Sequence, residues 1–345
     1  MKDFKKNETK SLLLLSKTKI EMRFFLSVIF FLQIGIYMAA QTAPEPLKAR
    51  PNKGEGVGSF LRRHNLDNVH LEEFKELNKG KFTPNGGLLS HHTYVLPGAS
   101  EKWIVPLFGK ESQELKLVDE ELKGAVFYLV SGHGGPDPGA IGNYGNKQLY
   151  EDEYAYDIVL RLAKNLMQKG ATVHVVVQDA NDGIRSTAYL KPDIDETVFG
   201  QPIPLGQIQR LKQRCDAINK LYKKEKSKYQ RCIEIHLDSR SQKKQLDVFF
   251  YHHKNSKKGE EMAETLRKTF ENNYEKHQPG RGFSGTVSSR NLYMLKNTNP
   301  VAVFVELANI RNSRDQQRFV LDSNRQALAN WLTNGIVEDF KKNSK

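Results

Sequence analysis

The sequence predicts an α/β fold, a mostly parallel twisted sheet with helices on both faces, over residues 123–345, with a small α+β segment before it. Three observations lead there. From Lys123 onward short apolar runs alternate regularly with amphipathic stretches, the pattern of strands and crossover helices. The apolar runs are valine-rich and continuous rather than alternating, as in strands buried on both faces. Chemically versatile side chains fall where several of these runs end: His133 after "AVFYLV", His236 within "CIEIHL" and Glu306 within "VAVFVEL". In an open α/β sheet, sites form beyond the carboxyl ends of strands.

Taken in order, "AVFYLV" at 125–130 reads as a strand and 151–169 as a helix with Ile158, Leu162 and Leu166 on one face. "ATVHVVV" is a strand, 208–222 a helix, and "CIEIHL" and "LDVFFYH" are strands. Residues 259–274 read as a helix, "NLYMLK" as extended chain, "VAVFVEL" as a buried strand and 315–340 as mostly helical. The loop "KHQPGRGFSGTVSSR" reads as polar, and "YLKPDIDETVFGQPIP" as an insertion able to form only a short flap. His174, set among valines, is expected to be a satisfied structural histidine.

A chain of 345 residues has room for one large domain and a small one, since single cores stop growing near about 250–300 residues. Residues 1–40 read as a leader and signal peptide. From Met22, one arginine precedes an apolar run and then small residues, with cleavage expected after Ala40. The alternative is an uncleaved membrane anchor. Met1 and Met22 both serve as candidate starts, and no cysteine near Ala40 is available for a lipid. The chain is thus expected to be exported, to the periplasm or cell envelope, touching a membrane only through this segment. Residues 41–53 have linker composition, 54–97 form a small segment and 98–122 a connector.

The net charge of +13 is diffuse and suits any acidic partner. No run pairs basic residues with aromatic platforms, so nucleic acid is not expected. Cys215 and Cys232 form either a disulfide or two buried free thiols. Neither has the spacing of a structural zinc site.

The glycine-rich stretch "SGHGGPDPGAIGNYGNKQLYE" separates His133 from Glu151. Its glycines allow sharp turns and close approach, and its length lets Glu151 fold back against His133. His133, His236 and Glu151 would make a catalytic zinc set with a position left for water. A glutamate that begins a helix also simply complements the dipole, so spacing alone leaves both readings open.

The motifs together are more specific. "SGHGGPDPGAIG", the glutamate-led helix, "LKQRCDAIN", "EIHLDS" and "PVAVFVELANIRN" follow one another in order over residues 124–340. In this they resemble the zinc-dependent N-acetylmuramoyl-L-alanine amidases of bacterial cell walls. The resemblance implies one zinc per chain held by His133, Glu151 and His236, with Glu306 as the catalytic carboxylate. It implies peptidoglycan as substrate, cut between N-acetylmuramic acid and L-alanine of the stem peptide. Arg290, Arg311 and Asn312 become candidates for contact with substrate carboxylates. Two departures, "EIHLDS" without small residues after its histidine and Ala308-Asn309 in place of Gly-Phe, fall on the pocket wall rather than the ligands.

A zinc carboxypeptidase acting on wall peptides and an inactive wall-binding protein are the rival readings. Against the first stands the wide spacing of His133 and Glu151, unlike an H-x-x-E pair; against the second, the intact set of four residues. Residues 54–97 resemble a LysM glycan-binding module in the order strand, helix, helix, strand, through "LEEFKELNK" and "YVLP". A plain cap is the alternative, with His91 and His92 in a polar loop. Between His236 and Glu306 no stretch suits a long blocking helix, so no protein activator is expected to be required.

Overall fold

The structure, a computed structural model, describes residues 48–64, 66, 70–97, 103–239 and 247–344. The expected leader, signal or anchor in residues 1–40 lies outside them. Among the described residues no helix is long and apolar enough to cross a membrane.

The N-terminal segment runs β1 (Lys48–Ala49), α1 (Val57–Arg63), α2 (Leu71–Leu77) and β2 (Tyr94–Val95), with β1 and β2 antiparallel. Phe60, Leu61, Phe74, Tyr94 and Leu96 bury together. Asn78 fastens the closing strand to α2. Its Nδ2 donates to the carbonyls of Phe74 and Val95, and its Oδ1 accepts from the Val95 N–H at 2.8 Å. The expected linker 41–53 is corrected here, because the opening strand lies inside it. Two residues of strand carry too little periodicity to be read from sequence.

Next come β3 (Trp103–Ile104) and β4 (Glu114–Leu115), a short antiparallel pair. Val105, Leu107, Phe108, Leu115 and Leu122 join the main core. The stretch expected as a connector from 98 to 122 is therefore part of the large domain from Trp103 onward.

The main domain continues with β5 (Ala125–Ser131), β6 (Ile141–Tyr144), β7 (Lys147–Tyr150) and α3 (Glu151–Gln168). It goes on through β8 (Thr172–Val175), β9 (Val177–Gln178), β10 (Thr197–Val198), β11 (Gln201–Pro202), α4 (Gln207–Tyr222), β12 (Tyr229–Asp238) and β13 (Val248–His252). The chain finishes with α5 (Lys257–His277), β14 (Thr286–Ser289), α6 (Tyr293–Asn297), β15 (Val301–Asn309), α7 (Gln317–Val320) and α8 (Asp322–Asn343).

Six strands make the central sheet in the order β14-β13-β15-β12-β5-β8. All neighbours run parallel except β13 against β15. Alternate residues of β5 go to opposite faces. Phe127 and Leu129 join the core beneath α3, α5 and α8, while Val126, Tyr128 and Val130 join a second core with Ile218 of α4 and Met294 of α6. Both faces are covered, as the continuous apolar runs predict. Gly170, at φ 82° just past α3, stops that helix where a left-handed residue is needed.

Several expectations are corrected. "NLYMLK" contains a short helix rather than extended chain, because Met294 and Leu295 are adjacent and both buried in one cluster. The polar loop before it contains β14, an edge strand whose Thr and Ser residues show no apolar alternation. The insertion "YLKPDIDETVFGQPIP" supplies β10 and β11, which pair with each other, and β10 pairs also with β9. The C-terminal helix is broken at Leu321 into α7 and α8. Cys215 and Cys232 are free and buried. His174 is structural, as expected: 3% exposed, stacked on Tyr128 and bonded through Nε2 to Glu225 at 2.8 Å.

Candidate metal centre

At the carboxyl edge of the sheet, β5 ends and Gly132 donates its N–H to the Ile235 carbonyl of β12 at 2.8 Å. A Cβ on Gly132 would lie 2.3 Å from Cε1 of His236, so only glycine lets this histidine approach. His133 follows in the left-handed region at φ 62°, a strain of the kind found where backbone geometry serves a site. The chain then closes on itself through the Gly134–Asp137 bridge and the β6–β7 hairpin, delivering Glu151 at the first turn of α3. That hairpin is how the long glycine loop returns. Sequence reading anticipated the return but not the two strands, which are short and polar.

Glu151 is 4% exposed and central. Its Oε1 lies 3.2 Å from His133 Nε2 and 2.9 Å from His236 Nδ1, and accepts from the Leu237 N–H at 3.1 Å. Its Oε2 accepts from the Ala140 N–H at 2.8 Å. The two imidazole planes stand at 79° to one another, and one ligand-type atom from each of the three residues lies within 4.8 Å of the others. Gly139 is required as well, since a Cβ there would fall 2.7 Å from His133 Cδ2.

The electrostatics of this group ask for a cation. Burial drives His133 and His236 toward neutrality. Hydrogen bonds to carboxylates outweigh it, Asp137 and Glu151 for the first and Glu151 and Glu234 for the second, and hold them at about 9 and about 10. Burial pushes Glu151 up, but the two imidazoles hold it well below the usual carboxylate range. Protons thus occupy the place where positive charge is favoured. Two imidazoles and a buried carboxylate facing a cavity match the donor set of a catalytic zinc site, so the residues fit such a metal.

Sequence reading assigned no role to the residues that orient the ligands. Asp137 Oδ2 lies 3.0 Å from His133 Nδ1 and accepts from Arg210 Nη2 at 2.7 Å. Glu234 Oε1 lies 3.4 Å from His236 Nε2. Arg214, 2% exposed, donates to the His133 carbonyl. Each had a signal. Asp137 sits inside the glycine motif, Glu234 lies two residues before His236 on the same strand face, and Arg214 occupies the arginine of "LKQRCDAIN".

A cavity of about 380 Å³ opens over the triad, lined by Glu306, Arg290 and Arg311 among others. Glu306 pairs in register with His236 across β12 and β15. Arg290 and Arg311 are exposed at this rim. Asn312 is not among the lining residues and corrects the expectation. It is 8% exposed, and its Oδ1 accepts from the N–H groups of Arg314 and Asp315 in the turn after β15.

Comparison with known proteins agrees with these motifs. A family profile described as N-acetylmuramoyl-L-alanine amidase matches residues 128–338. The germination-specific N-acetylmuramoyl-L-alanine amidase of Bacillus subtilis (strain 168) is 25% identical over 223 residues, 64% of this chain and 81% of that protein. The CwlD amidase from Clostridioides difficile, solved in complex with the GerS lipoprotein, aligns with a TM-score of 0.46 and 18% identity. It covers 63% of this chain and 99% of that one. The catalytic domain of CwlV, an amidase from Bacillus (Paenibacillus) polymyxa var. colistinus, aligns at 0.45 and 20% identity over 64% and 99% of the two chains. With more than half of its length matched by the family profile, the chain belongs to the N-acetylmuramoyl-L-alanine amidase family.

Proposed function

We propose that this amidase cleaves the amide between the lactyl group of N-acetylmuramic acid and L-alanine of the stem peptide, with one zinc ion held by His133, Glu151 and His236. The observation that carries the reading is the register of His236 with Glu306, which sets a carboxylate beside the ligand triad at the mouth of one cavity. When bound, zinc would supply Lewis-acid polarisation of the scissile carbonyl and activation of water. Glu306 takes the proton released during attack and delivers it to the leaving amine. Asp137 and Glu234 fix the ring orientations of His133 and His236, as carboxylates behind metal-ligating histidines do. Arg290 and Arg311, at the cavity rim, offer charge to stem-peptide carboxylates.

Purified peptidoglycan digested with and without a chelator tests the reading. Release of intact stem peptides, abolished by the chelator and restored by zinc, is the expected result. Release of a single terminal amino acid would instead indicate a carboxypeptidase, and binding without release an inactive wall-binding protein.

Three further parts of the reading concern the rest of the chain. The N-terminal segment, expected over 54–97 and extended by the structure to the strand at Lys48–Ala49, acts as a LysM-like glycan-binding unit, supported by the order strand, helix, helix, strand with its own core. Deleting it should weaken cosedimentation with insoluble peptidoglycan several-fold while zinc content stays unchanged. Export to the periplasm or cell envelope is directed by residues 22–40, and cell fractionation tests it. The enzyme works without a protein activator: among the described residues, Glu151 is the only helical residue lining the cavity. A zinc-loaded enzyme that cleaves only after a partner is added would refute that last part.

A further inference from the structure

Immediately after Glu151, the first turn of α3 carries Asp152 and Glu153, each 3% exposed. They face Glu196, 7% exposed, from the insertion just before β10. One oxygen from each of the three lies within 4.8 Å of the others. Three carboxylates cannot share such a space as anions without compensation. Arg185 supplies one positive charge, through Nη1 to Glu153 Oε2 at 2.9 Å, and is shared with Asp182. Glu196 Oε2 accepts a neutral backbone donor, the Gly135 N–H at 2.8 Å. Asp152 Oδ1 accepts from the adjacent Glu153 N–H at 2.9 Å, but Asp152 Oδ2 is buried with no hydrogen-bond partner. A buried acceptor oxygen of Asp152 thus stands open beside two further buried carboxylates.

We propose that Asp152, Glu153 and Glu196 form a second cation site, separate from the histidine-containing triad, for a hard divalent ion of the calcium class. The donors are all oxygen, with no imidazole or thiolate, which favours calcium over zinc. A divalent ion bound among the three carboxylates gives Asp152 Oδ2 a partner. The site joins three parts of the domain: the helix that begins with Glu151, the insertion carrying β10 and β11, and, through the Glu196–Gly135 hydrogen bond, the loop bearing His133. Its occupancy therefore stiffens the loop that presents a ligand to the first metal.

The neighbouring group Asp179, Asp182 and Asp193 supplies the control. It is more exposed, and Asp179 Oδ1 is already occupied by the N–H groups of Asn181 and Asp182.

The experiment uses the full chain loaded with one zinc, dialysed against radiolabelled calcium, with thermal unfolding followed in parallel. The expected result is one calcium per chain in addition to zinc, and a Tm raised by roughly 5 °C at a hundredfold excess over Kd. Asp152→Asn and Glu196→Gln should each weaken calcium binding at least tenfold, whereas Asp193→Asn should not. Absence of calcium binding by the zinc-loaded wild type overturns the proposal, whatever the variants do. So does loss of calcium on Asp193→Asn alone, or unchanged affinity in folded Asp152→Asn and Glu196→Gln. Should those two fail to fold, binding by wild type and by Asp193→Asn decides the matter.

Discussion

His236 and Glu306 are register partners on adjacent parallel strands, β12 and β15. Residues so paired put their side chains on the same face of a sheet. The backbone ladder, rather than a loop, therefore sets the separation of these two side chains. Phe304, two residues before Glu306, stacks on the His236 ring at 4.3 Å and 15°, locking the imidazole from below.

This arrangement separates metal binding from proton transfer. Glu306→Gln keeps the volume and removes the proton acceptor. Turnover on peptidoglycan should fall by roughly 10²-fold or more, while zinc per chain stays at the wild-type value. Activity close to wild type in a zinc-loaded Glu306→Gln enzyme would assign the carboxylate another role.

On the proposed mechanism, Asp137 acts through His133 rather than on substrate. Asp137→Asn should lower zinc affinity by about 10–100-fold, read by competition with a chromophoric chelator. At saturating zinc the KM should be nearly unchanged. If zinc affinity is unaltered, the 3.0 Å contact between Asp137 and His133 contributes nothing to the site.

How much of this was legible in the sequence depends on the physics involved. Strand ends and a helix start brought His133, Glu151 and His236 forward as candidates, the family resemblance made them one set, and the structure brings all three together. The α3 boundaries were readable from local signals, with Glu151 at one end and Gly170 just past the other. Edge strand β14 was not, since an exposed strand need show no apolar alternation. Nor was the reason for the glycine that the family pattern places at residue 308. The structure shows Ala308 at φ 56°, where glycine costs least, so this chain carries a left-handed alanine two residues after Glu306. Asn312 was a candidate for contact with substrate carboxylates through its place in the motif "PVAVFVELANIRN". In the structure its side chain is spent on a turn.

Glycine 132 offers a steric test of the close approach. In Gly132→Ala, the added methyl would lie 2.3 Å from His236 Cε1, and the ring must move away from Glu151. Zinc content should drop well below one per chain even in zinc-supplemented buffer, with far-UV circular dichroism unchanged. Gly56→Ala, whose Cβ would meet nothing within 4 Å, should leave zinc content at the wild-type value. A Gly132→Ala protein with full zinc and normal activity would show that the loop has freedom the packing denies.

The last prediction concerns acid stability and rests on Asp247, which is 4% exposed just before β13. Its carbonyl accepts from the Ala308 N–H at 3.2 Å, tying it to the turn beside Glu306. Burial pushes this carboxyl up, but Arg281, Ser284 and Arg318 outweigh burial and hold it below its ordinary value. Arg318 Nη2 donates at 2.8 Å, the Ser284 N–H at 2.8 Å and Ser284 Oγ at 3.0 Å. A carboxyl lowered on folding stabilises the protein fully above its unfolded pKa, near 3.9, and loses that contribution as pH falls through the folded value. Asp247→Asn should therefore cost about 2 kcal/mol at pH 7, because the half-buried Arg281 and Arg318 lose a charged partner, Arg318 keeping Asp315 at 3.5 Å. The gap between variant and wild type should narrow as pH drops below about 4, where the wild-type carboxylate also takes up its proton. Chemical unfolding of the two proteins at pH 7, 4 and 3 measures this, and a difference that stays constant or widens toward acid would contradict the assignment.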